Sequence, residues 1–199
     1  MVDAAHDPIA PDPGRVDHCV VFRRVPLEQY EALLAARGED RAPSMVYLRG
    51  TLWIMSPSPE HESMSRMIDK LLTAYAEERG LDLRAYGSWT VRGADRGAEA
   101  DECYTLGESA RSVPDLAIEV VWTSDVGAKL EVWRGLGVPE VWIWKDGRIA
   151  VHVLRDDRYE QHEQSALLAD LDLALVARLV PRPDQIAAVR ELRAALRSS

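Results

Sequence analysis

The chain has 199 residues, of which 47% are hydrophobic and 29% are charged, and its formal net charge is -9. This composition is ordinary for a soluble globular protein, and the length suffices for one well-cored domain. The acidic balance argues against a protein that coats nucleic acid with a basic surface, although it allows a local basic groove.

The N-terminal residues 1–17 are rich in Pro, Asp and Ala and predict a flexible tail, followed by a single domain over residues 18–199. They lack the basic start and apolar core of a secretory signal, and no apolar run approaches the roughly 20 residues of a membrane span. Cys19 and Cys103 show no metal-type pairing. We therefore expect a cytoplasmic protein that does not contact a membrane.

The first half of the chain predicts a strand, a helix, a hairpin, a long helix and one or two further strands. In that order they cover residues 19–22, 26–38, 45–55, 59–80 and 81–91. The apolar face of the long helix should lie on a sheet. The polar stretch 92–100 predicts a flexible loop, in which Arg92 and Arg96 are solubilising charges or contacts for a phosphate backbone. A short strand then carries Asp101 and the small thiol of Cys103.

The stretch 114–122 is apolar and β-branched, with Glu119 as its one internal carboxylate. Such a run predicts a strand that is buried on both faces at the centre of a sheet. An unpaired carboxylate there costs several kcal/mol or becomes protonated. Glu119 should therefore face a cation, a metal or a water-filled site.

The second half predicts a helix that is capped by Ser124 or Asp125 and carries Lys129. A strand at 140–144 and its hairpin partner at 148–154 follow. Strand, helix and strand between 114 and 144 form a β-α-β unit with a right-handed crossover. The fold class is α/β or α+β with a mixed central sheet. Residues 164–179 give no clear pattern, and 183–196 predict a terminal helix with exposed arginines.

Asp101, Glu119 and Lys129 converge in this arrangement, on two neighbouring strands and the following helix. Two carboxylates on adjacent strands can hold a hard divalent cation, and a nearby lysine can stabilise charge on a phosphate or orient the attacking water. That combination suits phosphodiester hydrolysis. The alternatives are that Asp101 is a turn residue, that Glu119 pairs with an arginine, and that Lys129 is solvated.

The order of these motifs resembles the bacterial family of putative restriction endonucleases in the PD-(D/E)XK nuclease superfamily. The motifs are an acidic residue on one strand, Pro-Asp-x-x-x-Glu-Val at 114–120, a helical lysine, and Gly-Val-Pro-Glu-x-Trp at 137–142. In this family the lysine of the usual tripeptide has moved to the next helix, which fits Val121 in the tripeptide position and Lys129 in the helix.

The resemblance implies a restriction endonuclease-like fold, with an N-terminal helix and hairpin beside a mixed sheet flanked by helices. It implies Mg²⁺ or Mn²⁺ as cofactor, held by Asp101 and Glu119, with Lys129 assisting the attacking water. DNA would be the substrate, and a homodimer would allow two sites to meet two strands. The implied activity is that of a divalent-metal-dependent endonuclease.

Three further residues are candidates for supporting the metal-binding carboxylates. His61 and Glu62 begin the long helix. A hydrogen bond at the helix entry is the alternative for His61, which could also contact a phosphate, and a favourable charge at the helix N-terminus is the alternative for Glu62. Asp115 precedes Glu119 by four residues on the same face, and a role in the turn that enters the strand is its alternative.

The chain departs from the family pattern at four positions. Ala100 precedes the first aspartate, Trp122 stands where a serine is usual, Lys145 stands where an aspartate is common, and Val46 replaces a frequent glutamate. The departures at Trp122 and Lys145 and the acidic charge favour a second hypothesis, a catalytically inactive nuclease fold that serves as a nucleic-acid or protein interaction module. A third is a structural subunit of a larger assembly.

Overall fold

The computed structural model describes residues 17–38, 40, 42–107, 111–122 and 126–198. Within these ranges the helices are α1 (Leu27–Arg37), α2 (Pro59–Arg79), α3 (Val126–Leu136), α4 (Leu173–Leu179) and α5 (Gln185–Ser198). The strands are β1 (His18–Arg23), β2 (Ser44–Leu48), β3 (Thr51–Ser56), β4 (Leu83–Ala85), β5 (Thr90–Arg92), β6 (Arg96–Glu99), β7 (Glu102–Leu106), β8 (Leu116–Val120), β9 (Glu140–Lys145), β10 (Arg148–Arg155) and β11 (Arg158–His162).

The central sheet has six strands in the order β11-β10-β9-β8-β7-β4. The strands β8 and β9 pair in parallel, whereas their other neighbours are antiparallel. All five residues of β8 are buried, because both faces of this strand are covered by other layers. The predicted mixed central sheet, its buried central strand and the parallel β8-α3-β9 unit are therefore confirmed.

A second sheet is antiparallel and has the order β1-β3-β2-β6-β5. It contains the predicted hairpin, β2 and β3, and it corrects the prediction of a loop over 92–100. In that stretch β6 lies between β2 and β5, and all four of its residues are buried. Glu99 is paired there with Arg37 and accepts a hydrogen bond from Met45 N at 2.9 Å.

Arg96 corrects the expectation of an exposed arginine in this stretch, since it is 7% exposed. Its guanidinium donates to Asp95 at 2.7 Å and to the carbonyl oxygen of Glu131 at 3.0 Å. These partners satisfy a charged side chain inside the protein. Arg96 therefore holds β6 against α3 and is not available to a phosphate backbone.

The layers of the fold follow from where the apolar side chains meet. The helices α2 and α4 cover one face of the central sheet, and α5 packs against these two helices. The helix α3 packs between the other face and the second sheet, and α1 covers the outer face of β2 and β3. Trp142 and Trp144 are buried in the first of these cores.

The start of α2 is fixed by several local interactions. Ser58 accepts a hydrogen bond from His61 N at 3.2 Å, and Pro59 occupies the first turn. Gly80 ends the helix with φ of 63°, a conformation that favours glycine. These signals confirm the predicted long helix and place His61 in its first turn, beside the ends of the central strands.

The C-terminal helix α5 confirms the predicted amphipathic segment and its exposed arginines, since Arg190 and Arg197 are exposed and Arg193 is partly exposed. Arg193 and Arg197 donate to Glu78 of α2 at 2.8 and 2.7 Å. The strand β11 and the helix α4 had no sequence prediction. The predicted caps Ser124 and Asp125 and residues 1–16 of the predicted tail lie outside the described residues. None of the helices that the structure describes could cross a membrane.

Candidate metal-carboxylate site

Glu119 lies in β8 on the face that meets α3, together with Ala117 and Val121. Its carboxylate is bound by two residues of α3 that are one turn apart. The ammonium group of Lys129 donates to Oε2, and Trp133 Nε1 donates to Oε1 at 2.7 Å. Glu119 is 1% exposed and Lys129 is 8% exposed. The buried strand therefore retains its carboxylate because the next helix supplies an ammonium and an indole N–H.

Asp101 immediately precedes β7, whereas the sequence placed it within that strand. Its Oδ2 accepts a hydrogen bond from Val120 N at 2.7 Å, which ties the start of β7 to the end of β8. The His61 Nε2 atom lies 3.1 Å from the same oxygen. The three predicted residues, Asp101, Glu119 and Lys129, are therefore brought together with His61 at one end of the two strands.

The pKa values of the three groups are shifted by burial and by one another. Burial raises the pKa of Glu119, and the charge of Asp101 adds to this effect against the opposing Lys129. Burial raises the pKa of Asp101 as well, but His61, Lys129 and the Val120 amide outweigh it and the net pKa is lowered. For Lys129 burial lowers the pKa, while Glu119 and Asp101 raise it more. Opposite charges thus stabilise one another within the site.

His61 joins this group to a residue that the sequence assigned to the flexible tail. Its Nδ1 lies 2.9 Å from Asp17 Oδ2, and Asp17 Oδ1 accepts from Ser58 N at 2.8 Å. Burial alone would lower the pKa of His61, but the charges of Asp101 and Asp17, together with the hydrogen bond at Nδ1, raise the pKa to about 10. Nothing in the local sequence pattern around Asp17 distinguishes it from the other aspartates of that segment.

Two of the predicted supporting residues stand apart from the carboxylates. Glu62 is exposed in the first turn of α2. Asp115 accepts from Leu106 N at 2.9 Å and from Arg111 at 2.6 Å. Asp115 therefore holds the entry to β8, in agreement with its alternative role in the strand-entry turn.

A narrow, largely apolar cleft leads to Lys129 between the second sheet and α3. Its walls include Cys19, Val46, Trp53 and Met55. Val46 occupies the position where the family frequently has glutamate, so this wall carries no carboxylate toward the ammonium group. The cleft connects an otherwise buried lysine with the surface.

Two other departures from the family pattern lie away from the carboxylates. Trp122 packs edge to face on Trp144, with ring centroids 5.7 Å apart, and so belongs to the core between the sheet and α2. Lys145 is exposed at the end of β9. Neither residue contributes a contact to the carboxylates.

The donor set bears on which metals the site could hold. Among the described residues no three His, Cys, Asp or Glu side chains are grouped to hold a metal ion, as a structural zinc site would require. Two carboxylates, Asp101 and Glu119, share the site with Lys129, and this set fits Mg²⁺, which commonly binds one or two carboxylates and keeps several waters. With Asp17 and His61 included, three carboxylates face two cations, which leaves one net negative charge.

Comparisons with known proteins identify the family of this chain. Residues 27–185 match the Uma2 family, described as "Putative restriction endonuclease", and because the match covers most of the chain, the protein belongs to that family. The chain is also similar to the crystal structure of "a putative nuclease belonging to DUF820" from Anabaena variabilis ATCC 29413, with 17% identity and a TM-score of 0.48. That alignment covers 81% of this chain and 96% of the other. No curated protein matches the chain.

Glu102 follows Asp101 directly but faces α2 on the opposite side of the sheet. It is 2% exposed and accepts a hydrogen bond from Ser65 Oγ at 3.0 Å, with Arg66 at 3.4 Å. Burial, together with the charge of Asp69, raises the pKa of Glu102 from 4.5 to about 7. Adjacent acidic residues in the sequence thus occupy different environments.

The raised pKa of Glu102 makes the stability of the metal-free protein depend on pH. Between about pH 4.5 and 7 the folded state retains a proton that the unfolded state releases, so the free energy of unfolding falls as the pH rises. In Glu102→Gln this fall should be absent. The free energy of unfolding of the variant, relative to that of wild type, should therefore rise by about 1–3 kcal/mol between the low and the high end of this pH interval. Urea denaturation in EDTA at several pH values measures it, with Glu62→Gln as the exposed control. Parallel pH curves for wild type and Glu102→Gln would contradict the assignment.

Proposed function

We propose that the protein is a divalent-metal-dependent nuclease that hydrolyses phosphodiester bonds in DNA. The observation that carries this proposal is the convergence of Asp101, Glu119 and Lys129 at the ends of β7 and β8 and the start of α3. Membership of a restriction endonuclease family supports the nuclease class. The family membership is also the reason why we propose DNA as the substrate.

Asp101 and Glu119 are the proposed ligands of Mg²⁺ or Mn²⁺. When bound, such an ion supplies a water of lowered pKa and offsets the charge of the phosphate. The surrounding residues hold the carboxylates in place, since Trp133 donates to Glu119 and the Val120 amide donates to Asp101. A carboxylate whose orientation is already fixed loses little conformational freedom when it binds its ligand.

Lys129 is the proposed partner of the reacting phosphate. It lies at the inner end of the apolar cleft, where the low dielectric strengthens its attraction for a negative oxygen. Its charge is retained because Glu119 and Asp101 raise its pKa. In this role the ammonium stabilises the additional negative charge of the transition state or orients the attacking water.

Substitution of the carboxylates tests the catalytic proposal. Glu119→Gln preserves size and one hydrogen-bond acceptor but removes the charge, so we expect Mg²⁺-dependent cleavage of a DNA duplex to fall by about 100-fold or more. Asp101→Asn should reduce the cleavage by a similar factor. Glu62→Gln, at an exposed carboxylate on the same helix turn as His61, is the matched control and should cleave like wild type. Equal cleavage by wild type and Glu119→Gln, each confirmed to be folded, would refute the proposal.

A catalytically inactive fold that mediates interactions is the second candidate. It is favoured by one feature of the site, which is that both carboxylates already contact protein cations, Glu119 with Lys129 and Asp101 with His61. On this hypothesis the charges of the site satisfy one another and bind no metal.

Calorimetric titration with Mn²⁺ separates the two candidates. The nuclease proposal predicts a binding isotherm for wild type that is weakened at least about 10-fold in Glu119→Gln, because a charged ligand is lost. The titration of Glu62→Gln should match wild type. If Mn²⁺ gave no binding heat with wild type, and Mg²⁺ did not compete with Mn²⁺, the result would instead support the interaction module.

A homodimer is a further part of the proposal, since two sites are needed to cut both strands of a duplex. The edge strand β1 supports it, because Val20, Val21 and Phe22 are between 45% and 55% exposed and the strand pairs on one side only among the described residues. Val21→Lys should shift sedimentation from dimer to monomer, whereas Ile186→Lys, at an exposed apolar residue of α5, should not. A monomeric wild type would exclude the dimer.

A further inference from the structure

Asp17 precedes β1 and lies outside the residues 27–185 that match the family. Its carboxylate is nevertheless only 8% exposed and is engaged at both oxygens. Oδ1 accepts a hydrogen bond from Ser58 N at 2.8 Å, and Oδ2 lies 2.9 Å from His61 Nδ1. A residue that the family pattern does not include is therefore in contact with His61, which borders Asp101.

A continuous series of contacts runs from Asp17 to the central strand. The His61 ring lies between Asp17 Oδ2 at 2.9 Å and Asp101 Oδ2 at 3.1 Å, and that Asp101 oxygen also accepts from Val120 N at 2.7 Å. The Nε2 atom of His61 is not well aligned for a hydrogen bond to Asp101. The orientation of the ring is therefore set mainly at its Nδ1 end, where Asp17 lies.

We propose that Asp17 is a positioning residue that acts through His61 to fix the Asp101 carboxylate for metal binding. This inference rests on the proposed function. A ring that donates to one carboxylate and faces another orients the second one, as partners beyond the metal ligands do in many metal sites.

Asp17 has a simpler role that must be separated from this one. Its contact with Ser58 N lies at the N-terminus of α2, so the carboxylate also stabilises the start of that helix. Asp184 provides a matched comparison, because its Oδ1 accepts from Ala187 N at 2.9 Å at the start of α5. It lies on a different helix, which contributes none of the site residues.

Asp17→Asn is the decisive substitution, because the amide oxygen can still accept from Ser58 N while the charge facing His61 is lost. We expect the Mn²⁺ dissociation constant, measured by calorimetry on the full chain, to rise about 10- to 100-fold. Asp184→Asn should bind Mn²⁺ like wild type. Unchanged Mn²⁺ affinity in folded Asp17→Asn overturns the inference and leaves the proposed function intact.

A double-mutant cycle with His61→Gln tests whether Asp17 acts through the imidazole. If it does, Asp17→Asn should weaken Mn²⁺ binding in wild type but change it less than about 2-fold in the His61→Gln background. A purely structural role at the helix start would give the same loss in both backgrounds. Equal losses therefore overturn the inference.

Nuclear magnetic resonance of the metal-free protein provides a readout that is independent of metal binding. The His61 ring N–H facing Asp17, assigned by its absence in His61→Gln, should give a downfield proton signal that disappears in Asp17→Asn and persists in Asp184→Asn. Persistence of this signal in Asp17→Asn overturns the inference. If wild type bound no Mn²⁺, both the proposed function and the positioning role would fail. If wild type bound Mn²⁺ and Asp17→Asn bound it equally well, only the positioning role would fail.

Discussion

The ion pair between Glu119 and Lys129 is the interaction on which the site depends. A carboxylate in the middle of a strand that is buried on both faces requires a compensating charge, and removal of one partner from such a pair costs about 3–5 kcal/mol. The β8-α3-β9 unit supplies that partner, because the helix that follows the strand returns across its face and places Lys129 and Trp133 on the carboxylate. The ion pair that compensates the buried carboxylate therefore also places a carboxylate and an ammonium group together at the end of the strand.

Other buried carboxylates show what distinguishes this site from structural pairing. Glu140 is 1% exposed and accepts from Trp142 Nε1, Ser165 Oγ and the Ala166 amide. The Ser165 and Ala166 donors fasten the segment after β11 to β9, deep in the molecule. Glu119 instead faces an ammonium group at the end of a cleft and lies near the second carboxylate, Asp101. Proximity of like charges beside an opening to the surface is the arrangement that suits a metal ion and a phosphate.

Much of the fold could be predicted from the sequence because its signals are local. The spacing of apolar residues and the Ser58, Pro59 and Gly80 boundaries predicted α2, and the apolar run at 114–122 predicted β8. The strand β6 could not be predicted, because its polar residues looked like those of a loop. Glu99 is buried only because Arg37, 62 positions away in the chain, neutralises it. Periodicity describes the faces of one element and contains no information about a partner on another.

For the candidate site, the sequence by itself determined the central strand, the helix after it and the family to which their spacing belongs, and so proposed Asp101, Glu119 and Lys129. Only the tertiary structure decided which further residues meet them. It joined Asp17 and His61 to Asp101, left Glu62 at the surface and assigned Asp115 to the strand entry. The physical reason is that hydrogen bonds and charge pairs act through space over about 3–4 Å. Folding of the chain brings such groups within that distance, and the order of the residues in the sequence does not show which groups will meet.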